Sequence, residues 1–241
     1  MHIPVAFHHA VFRHRARGRR VALVVRHAER GPVWDIRTHE TVLLTDSGHA
    51  AARHSGGELA KAVEGAVGLY HSPVERCAQT ARGLLEGLCQ AGARSRLHGP
   101  LAQLATPFLR DPERAAIAAH EQGPRFIRSW FDGTLPPGIM QPRDDAAEGQ
   151  LQVLGETLRR AETDICVFVT HDWNIALLRE SYLGLRPDEH GWPGFLDGLV
   201  LSWHEDVLTL ELEHHARAVP LPLQTTQRRK DTVQDAMKDT V

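Results

Sequence analysis

Three short segments concentrate the residues able to do chemistry: Arg26-His27-Ala28-Glu29-Arg30-Gly31-Pro32, His71-Ser72-Pro73-Val74-Glu75-Arg76 and Thr170-His171-Asp172. Together they hold three arginines, three histidines and three carboxylates. Guanidinium groups grip the oxygens of a phosphate in a fixed fork geometry. An imidazole beside them can attack phosphorus or donate to an oxygen. One arginine alone reads as a surface ion pair, but arginines and histidines coinciding in three segments read as a phosphate site. Histidine is also the commonest metal ligand. Here Arg26, Arg30 and Arg76 would repel a divalent ion, so the pattern calls for neither metal nor cofactor. The other histidines, including His39, His49, His54 and His120, lack such company and read as surface or loop residues.

Each segment follows a stretch that must position it. Val21–Val25, Val67–Tyr70 and Ile165–Thr170 are short apolar runs of strand length, the pattern of strands buried on both faces of a parallel sheet. Ligands of open α/β sheets sit beyond the carboxyl ends of such strands, where these segments begin. Thr45-Asp46-Ser47 offers N-cap chemistry for a helix over about 46–63, although Gly56-Gly57 weakens it. Ser72 and Pro73 suit the cap and first position of a second helix, with Ala78, Ala81, Leu85 and Leu88 along one face. Arg76 then lies in its first turn, where unpaired N–H groups favour an anion. Leu151, Leu154, Leu158 and Ala161 mark a further helix, and Trp173, Ala176, Leu177 and Tyr182 another. Gly198–Trp203 and Val207–Glu213 read as a terminal β-hairpin across His204-Glu205-Asp206.

This alternation predicts an α/β fold, a three-layer α/β/α sandwich with a mainly parallel sheet and helices on both faces. The domain spans 21–223. Residues 98–150, rich in Pro and Gly with isolated Phe108, Phe126, Trp130 and Phe131, form an insertion of loops and short helices. Its Arg110, Arg114, Arg125, Arg128 and Trp130 are candidates for contacting further anionic or sugar groups, or for an ordinary polar surface. Residues 1–20, basic and His-rich, read as an N-terminal arm, and 224–241 as a mobile tail.

Composition limits the rest. In 241 residues, 28 Lys+Arg stand against 30 Asp+Glu for a net charge of −2, so there is no basic field to hold nucleic acid or an anionic membrane. Cys77, Cys89 and Cys166 form no CxxC pair, which points away from a disulfide framework or thiolate zinc and toward a reducing cytoplasm. The first twenty residues fit neither a membrane span nor a signal-peptide core. The partner expected is a small phosphorylated molecule.

The segment RHAERGP resembles the signature of the histidine phosphatase superfamily, whose usual form is Arg-His-Gly. SPVERCAQT resembles that family's second arginine motif and THD its second histidine motif, so the likeness runs in order over about 21–185. The spacing Arg26-His27-x-x-Arg30-x-Pro32 and the His171-Asp172 pair lean toward its acid-phosphatase branch. Ala28 stands where members often carry Gly. The chain is shorter than secreted acid phosphatases and lacks their export signal and cysteine pattern, which points away from an extracellular phytase-like role. The resemblance implies a metal-independent phosphomonoesterase with His27 as nucleophile, and Arg26, Arg30, Arg76 and His171 as the phosphoryl clamp. It leaves the proton donor open among Asp172, from the His-Asp pair, Asp111, Glu113 and Glu29. A phosphoglycerate-mutase-like phosphotransferase and a catalytically silent phospho-ligand binding domain are the alternatives.

Overall fold

A computed structural model describes residues 2–33, 36–63, 65–106, 108–123 and 125–221. Its centre is a seven-stranded sheet in the order β3-β2-β4-β1-β5-β6-β7. Strands β1 (Arg20–Arg26), β2 (Val67–His71), β3 (Ser95–Pro100) and β4 (Ile165–Thr170) run parallel, while β5 (Gly198–His204), β6 (Val207–Leu212) and β7 (His215–Pro220) continue it antiparallel. Alternation along the strands divides the core into two layers. Val21, Leu23, Val25, Val167 and Val169 face α2 (Asp46–Ala60) and α3 (Glu75–Gln90). Ala22, Val24, Cys166 and Phe168 face α6 (Arg143–Arg160) and α7 (Asp172–Leu183). Both apolar faces are covered, which is the three-layer α/β/α sandwich expected.

Helices α2 and α3 lie unusually close. A Cβ at Gly56 would stand 2.1 Å from the Leu84 carbonyl oxygen, and one at Gly87 would stand 2.0 Å from that of Arg53. The glycines that weaken α2 in isolation are therefore the surface on which α3 rests. That contact fixes the helix carrying Arg76.

The structure differs from the sequence reading at the periphery. Residues 1–20 are no loose arm: α1 (Val5–Arg15) packs Phe7, Ala10 and Val11 into the same layer as α2 and α3. Buried His14 on that helix bonds Glu211 of β6 at 3.0 Å. The insertion is shorter than 98–150, because its first three residues complete β3 and its last eight belong to α6. Between them, α4 (Pro112–Gln122) and α5 (Arg125–Phe131) gather Phe108, Phe126, Trp130, Phe131, Ile139 and Met140 into an apolar cluster against Ala176 and Leu177 of α7. The expected hairpin is extended by β7 into a three-stranded meander, and Glu205 and Asp206 take positive φ in its first turn. The short α8 (Pro187–His190) precedes the loop into β5. Mobility expected beyond Gln224 lies outside the described residues. Among the described residues, no helix is long and apolar enough to cross a membrane.

Candidate active site

The carboxyl ends of β1, β2 and β4 converge. His27 follows β1 directly, and its N–H donates to the Thr170 carbonyl at 3.0 Å, so the parallel β1–β4 ladder sets it beside His171. The two imidazoles meet edge to face with centroids 5.7 Å apart. Arg76, in the first turn of α3, lies between them: its Nε donates to His27 Nε2 at 3.0 Å and its NH2 group to His171 Nδ1 at 3.1 Å. Its remaining nitrogen donates to the His39 carbonyl at 2.7 Å. All three side chains are buried.

These bonds fix the tautomers, because a guanidinium can only donate. His27 Nδ1–H donates to the Ala28 carbonyl at 2.8 Å, leaving the lone pair on Nε2. His171 accepts at Nδ1, so its Nε2–H faces Ser72 Oγ at 2.9 Å. Helix α3 begins at Glu75 with Val74 as its uncapped N-cap, rather than at Pro73 under a Ser72 cap. Ser72 Oγ takes the Val74 N–H at 3.3 Å and the His171 Nε2–H. Thr80 Oγ1 accepts from the Ala28 N–H at 3.0 Å and donates to the Arg76 carbonyl at 2.8 Å, tying the turn after β1 to α3.

Arg26 is held from a different side. It donates to the Pro193 carbonyl at 2.7 Å, pairs with Asp172 at 2.9 Å and lies over the Phe195 ring at 4.2 Å. Leu196 in the same loop has φ 61, a backbone conformation a branched side chain seldom adopts, and it is completely buried. Asp172 accepts from Arg26 and from Trp192 Nε1, the latter at 3.1 Å, through Oδ2, and from the Trp173 N–H through Oδ1. Arg30 donates to the Gly31 carbonyl at 2.8 Å.

A cavity of about 830 Å³ opens over these groups. His27, Arg30, Arg76, His171 and Asp172 line it, and so does Glu113 from the first turn of α4. Arg26 stands behind Asp172, outside the lining residues. Asp111 instead caps α4, accepting from the Arg114 N–H at 3.0 Å. Glu29 accepts from Thr45 Oγ1 at 3.0 Å and does not line the cavity. His39 and Glu40, from a short 3₁₀ turn, were missed as site residues and do line it. No strand end announces them, so their signal was absent from the sequence pattern.

Burial, with the Arg76 charge adding to it and the Ala28 carbonyl partly opposing, pushes His27 down to about 2 from its ordinary 6.5. Burial and then Arg76 bring His171 down to about 3. In both histidines burial outweighs the neighbouring cations. Both imidazoles are therefore neutral at physiological pH. Below 6.5 the unfolded chain takes up protons that these two groups refuse in the fold, so the stability they contribute is fully present above 6.5 and is lost as pH falls. We expect the unfolding free energy from urea titrations to drop between pH 7 and pH 5, by about 1 kcal/mol per pH unit for each histidine. His27→Asn should flatten that slope by one proton; an unchanged slope would mean His27 titrates normally.

The model of the histidine phosphatase superfamily, branch 1, matches residues 22–197. The chain belongs to the histidine phosphatase superfamily. The match is to branch 1 and gives no support to the lean toward the acid-phosphatase branch read from the Arg30 spacing and the His171-Asp172 pair. No curated protein matches the sequence. Solved structures share the superfamily fold. The structure named mycobacterial hydrolase 1 is 21% identical, with 80% of this chain and 97% of that chain covered, at a TM-score of 0.54. A mycobacterial glucosyl-3-phosphoglycerate phosphatase is also 21% identical, over 77% and 91% of the two chains, with a TM-score of 0.51. The YhfR protein of Bacillus stearothermophilus is 19% identical over 83% and 95%, with a TM-score of 0.50.

Proposed function

We propose that the protein hydrolyses small phosphate monoesters through a phosphohistidine at His27. The observation that carries this reading is the His27 tautomer: Nδ1–H is tied to the Ala28 carbonyl, and the Nε2 lone pair lies between Arg76 and His171 on the cavity wall. An incoming phosphoryl oxygen takes over the Arg76 donor and frees that lone pair. Nε2 then attacks phosphorus as the ester P–O bond breaks, and the alcohol leaves with a proton. Water next attacks phosphorus, giving a proton to the carboxylate left by the first step, as the N–P bond breaks and phosphate departs. Arg76, Arg30 and His171 stabilise the charge on the transferring oxygens, with Arg26 supporting them from behind Asp172. A clamp of fixed cations leaves no step that calls for a metal ion.

Glu113 is the proton donor in this scheme. Every hydrogen bond on Asp172 comes from a donor, and a proton on Oδ2 would point at Arg26 or Trp192. Asp172 is therefore a positioning residue for Arg26. Protonation matters most when the departing alkoxide is a strong base. Glu113→Gln should slow an alkyl phosphate about 10²-fold or more and p-nitrophenyl phosphate only a few-fold in single-turnover quench, whereas Asp172→Asn should slow both alike. Selective loss in Asp172→Asn would return the role to Asp172.

The reading as a whole is tested by trapping. Enzyme mixed with phosphate-labelled ester and quenched in alkali should carry acid-labile label on the peptide containing His27, and the label should leave in water alone. Label that leaves only on adding a second phosphorylated acceptor would make the protein a phosphotransferase. Absence of both label and turnover would make it a silent binding domain.

A further inference from the structure

The cavity is much larger than a phosphate requires, and its lining is of two kinds. His27, Arg30, Arg76 and His171 supply the polar part. An apolar part comes from α4 and the segment before it, with Leu109, Ala115, Ala116 and Ile117, and from Trp173 of α7. Ala115 also belongs to the insertion's buried cluster, which anchors the helix from behind. Ile117 is 53% exposed although it lines a concave wall, an apolar side chain with nothing packed on its outer face. The alanines keep that wall low and leave room. The insertion's cations take no part: Arg128 is committed to Asp132 and Glu180 at 2.7 Å each, and Trp130 donates to the Gln141 carbonyl at 2.7 Å. Arg110, Arg114, Arg125, Arg128 and Trp130 all lie outside the lining residues. Glu40 and Glu113 also line the cavity.

We propose that this site selects phosphate monoesters of apolar alcohols, with an alkyl or aryl body seated against Leu109, Ala116, Ile117 and Trp173, and discriminates against substrates bearing a second anionic group. The inference rests on the phosphoryl end being placed at His27, as above. Among the described residues, a second phosphate or a carboxylate on the substrate would meet Glu40 on the cavity wall, while the lining arginines Arg30 and Arg76 are taken by the phosphoryl group; like charges in a low-dielectric cleft repel. An apolar body instead removes the Ile117 and Leu109 side chains from water. Each buried methylene strengthens binding about two- to fourfold.

The test uses non-hydrolysable phosphonates, so that it reads binding apart from turnover. Affinities of ethyl-, propyl-, butyl-, hexyl-, octyl- and phenylphosphonate are measured by calorimetry on the full chain, together with 3-phosphonopropionate. The affinity should rise with chain length until the cavity is filled, and phenylphosphonate should bind at least tenfold more tightly than ethylphosphonate. Propylphosphonate should bind at least tenfold more tightly than its carboxylated counterpart. Ile117→Asp, at an exposed position where folding is insensitive, should flatten the chain-length dependence. A flat series, a tighter carboxylated ligand, or an unaltered slope in Ile117→Asp would overturn the proposal even if phosphate esters are hydrolysed. Rising affinities without turnover of the matching esters would sustain the specificity and overturn the catalytic reading. Failure of every phosphonate to bind would overturn both.

Discussion

His27→Ala should abolish turnover, by a factor on the order of 10⁴–10⁶, and should carry no trapped phosphoryl group. The loss is large because no neighbouring group can replace the nucleophile. His171, tied to Ser72 through its Nε2–H and bonded to Arg76 at Nδ1, keeps its place in the clamp. The fold should persist. His27 is buried as a neutral imidazole at the edge of an 830 Å³ cavity, and the Arg76 Nε–H that loses its acceptor can turn to water there. Far-ultraviolet circular dichroism should therefore match the parent. Wild-type turnover in His27→Ala would end the nucleophile assignment, and loss of the dichroism spectrum would show that the residue is structural.

The second large effect is expected at Arg76. Its three nitrogens address His27, His171 and the His39 carbonyl, so one side chain both orients the nucleophile and supplies charge to the phosphoryl oxygens. Arg76→Ala should lower kcat by about 10²–10³, the scale for removing one oxyanion donor. Arg76→Lys should recover little of it, because an ammonium keeps the charge and loses the planar fork. A change below threefold for the alanine variant, or near-complete recovery by lysine, would show that Arg76 supplies only net charge.

The parts of this molecule that were legible in sequence are those where a strand end and a functional group coincide. Val21–Val25 and Ile165–Thr170 are apolar without interruption because both faces of the sheet are covered, and His27 and His171 follow at once. Edge strands carry a weaker signature. Ser95–Pro100 alternates half-buried and exposed residues and contains a proline, as an edge tolerates, so β3 was absorbed into the insertion. Helix α1 was hidden differently: Phe7, Ala10, Val11 and His14 fall at helical spacing, but histidine at a buried position reads as polar until Glu211, nearly two hundred residues on, is known to meet it. The same holds in the site. Asp172 beside His171 suggests an acid in one dimension. Only the loop bringing Trp192 and Pro193 back to Arg26 makes it a brace. Glu40 and His39 reach the cavity from a turn with no periodicity at all.

The β1–β4 pairing that sets His27 beside His171 joins segments about 140 residues apart in the chain. Contacts of that separation demand closure of a long loop before they return any stabilisation, and such pairings slow folding. The α2–α3 pair, joined by a short crossover, can assemble from local contacts well before it. Chemical competence is thus tied to a distant handshake in the topology, so a refolding population reaches its helices early and its enzyme later; the return of turnover, rather than of helicity, marks the completed molecule.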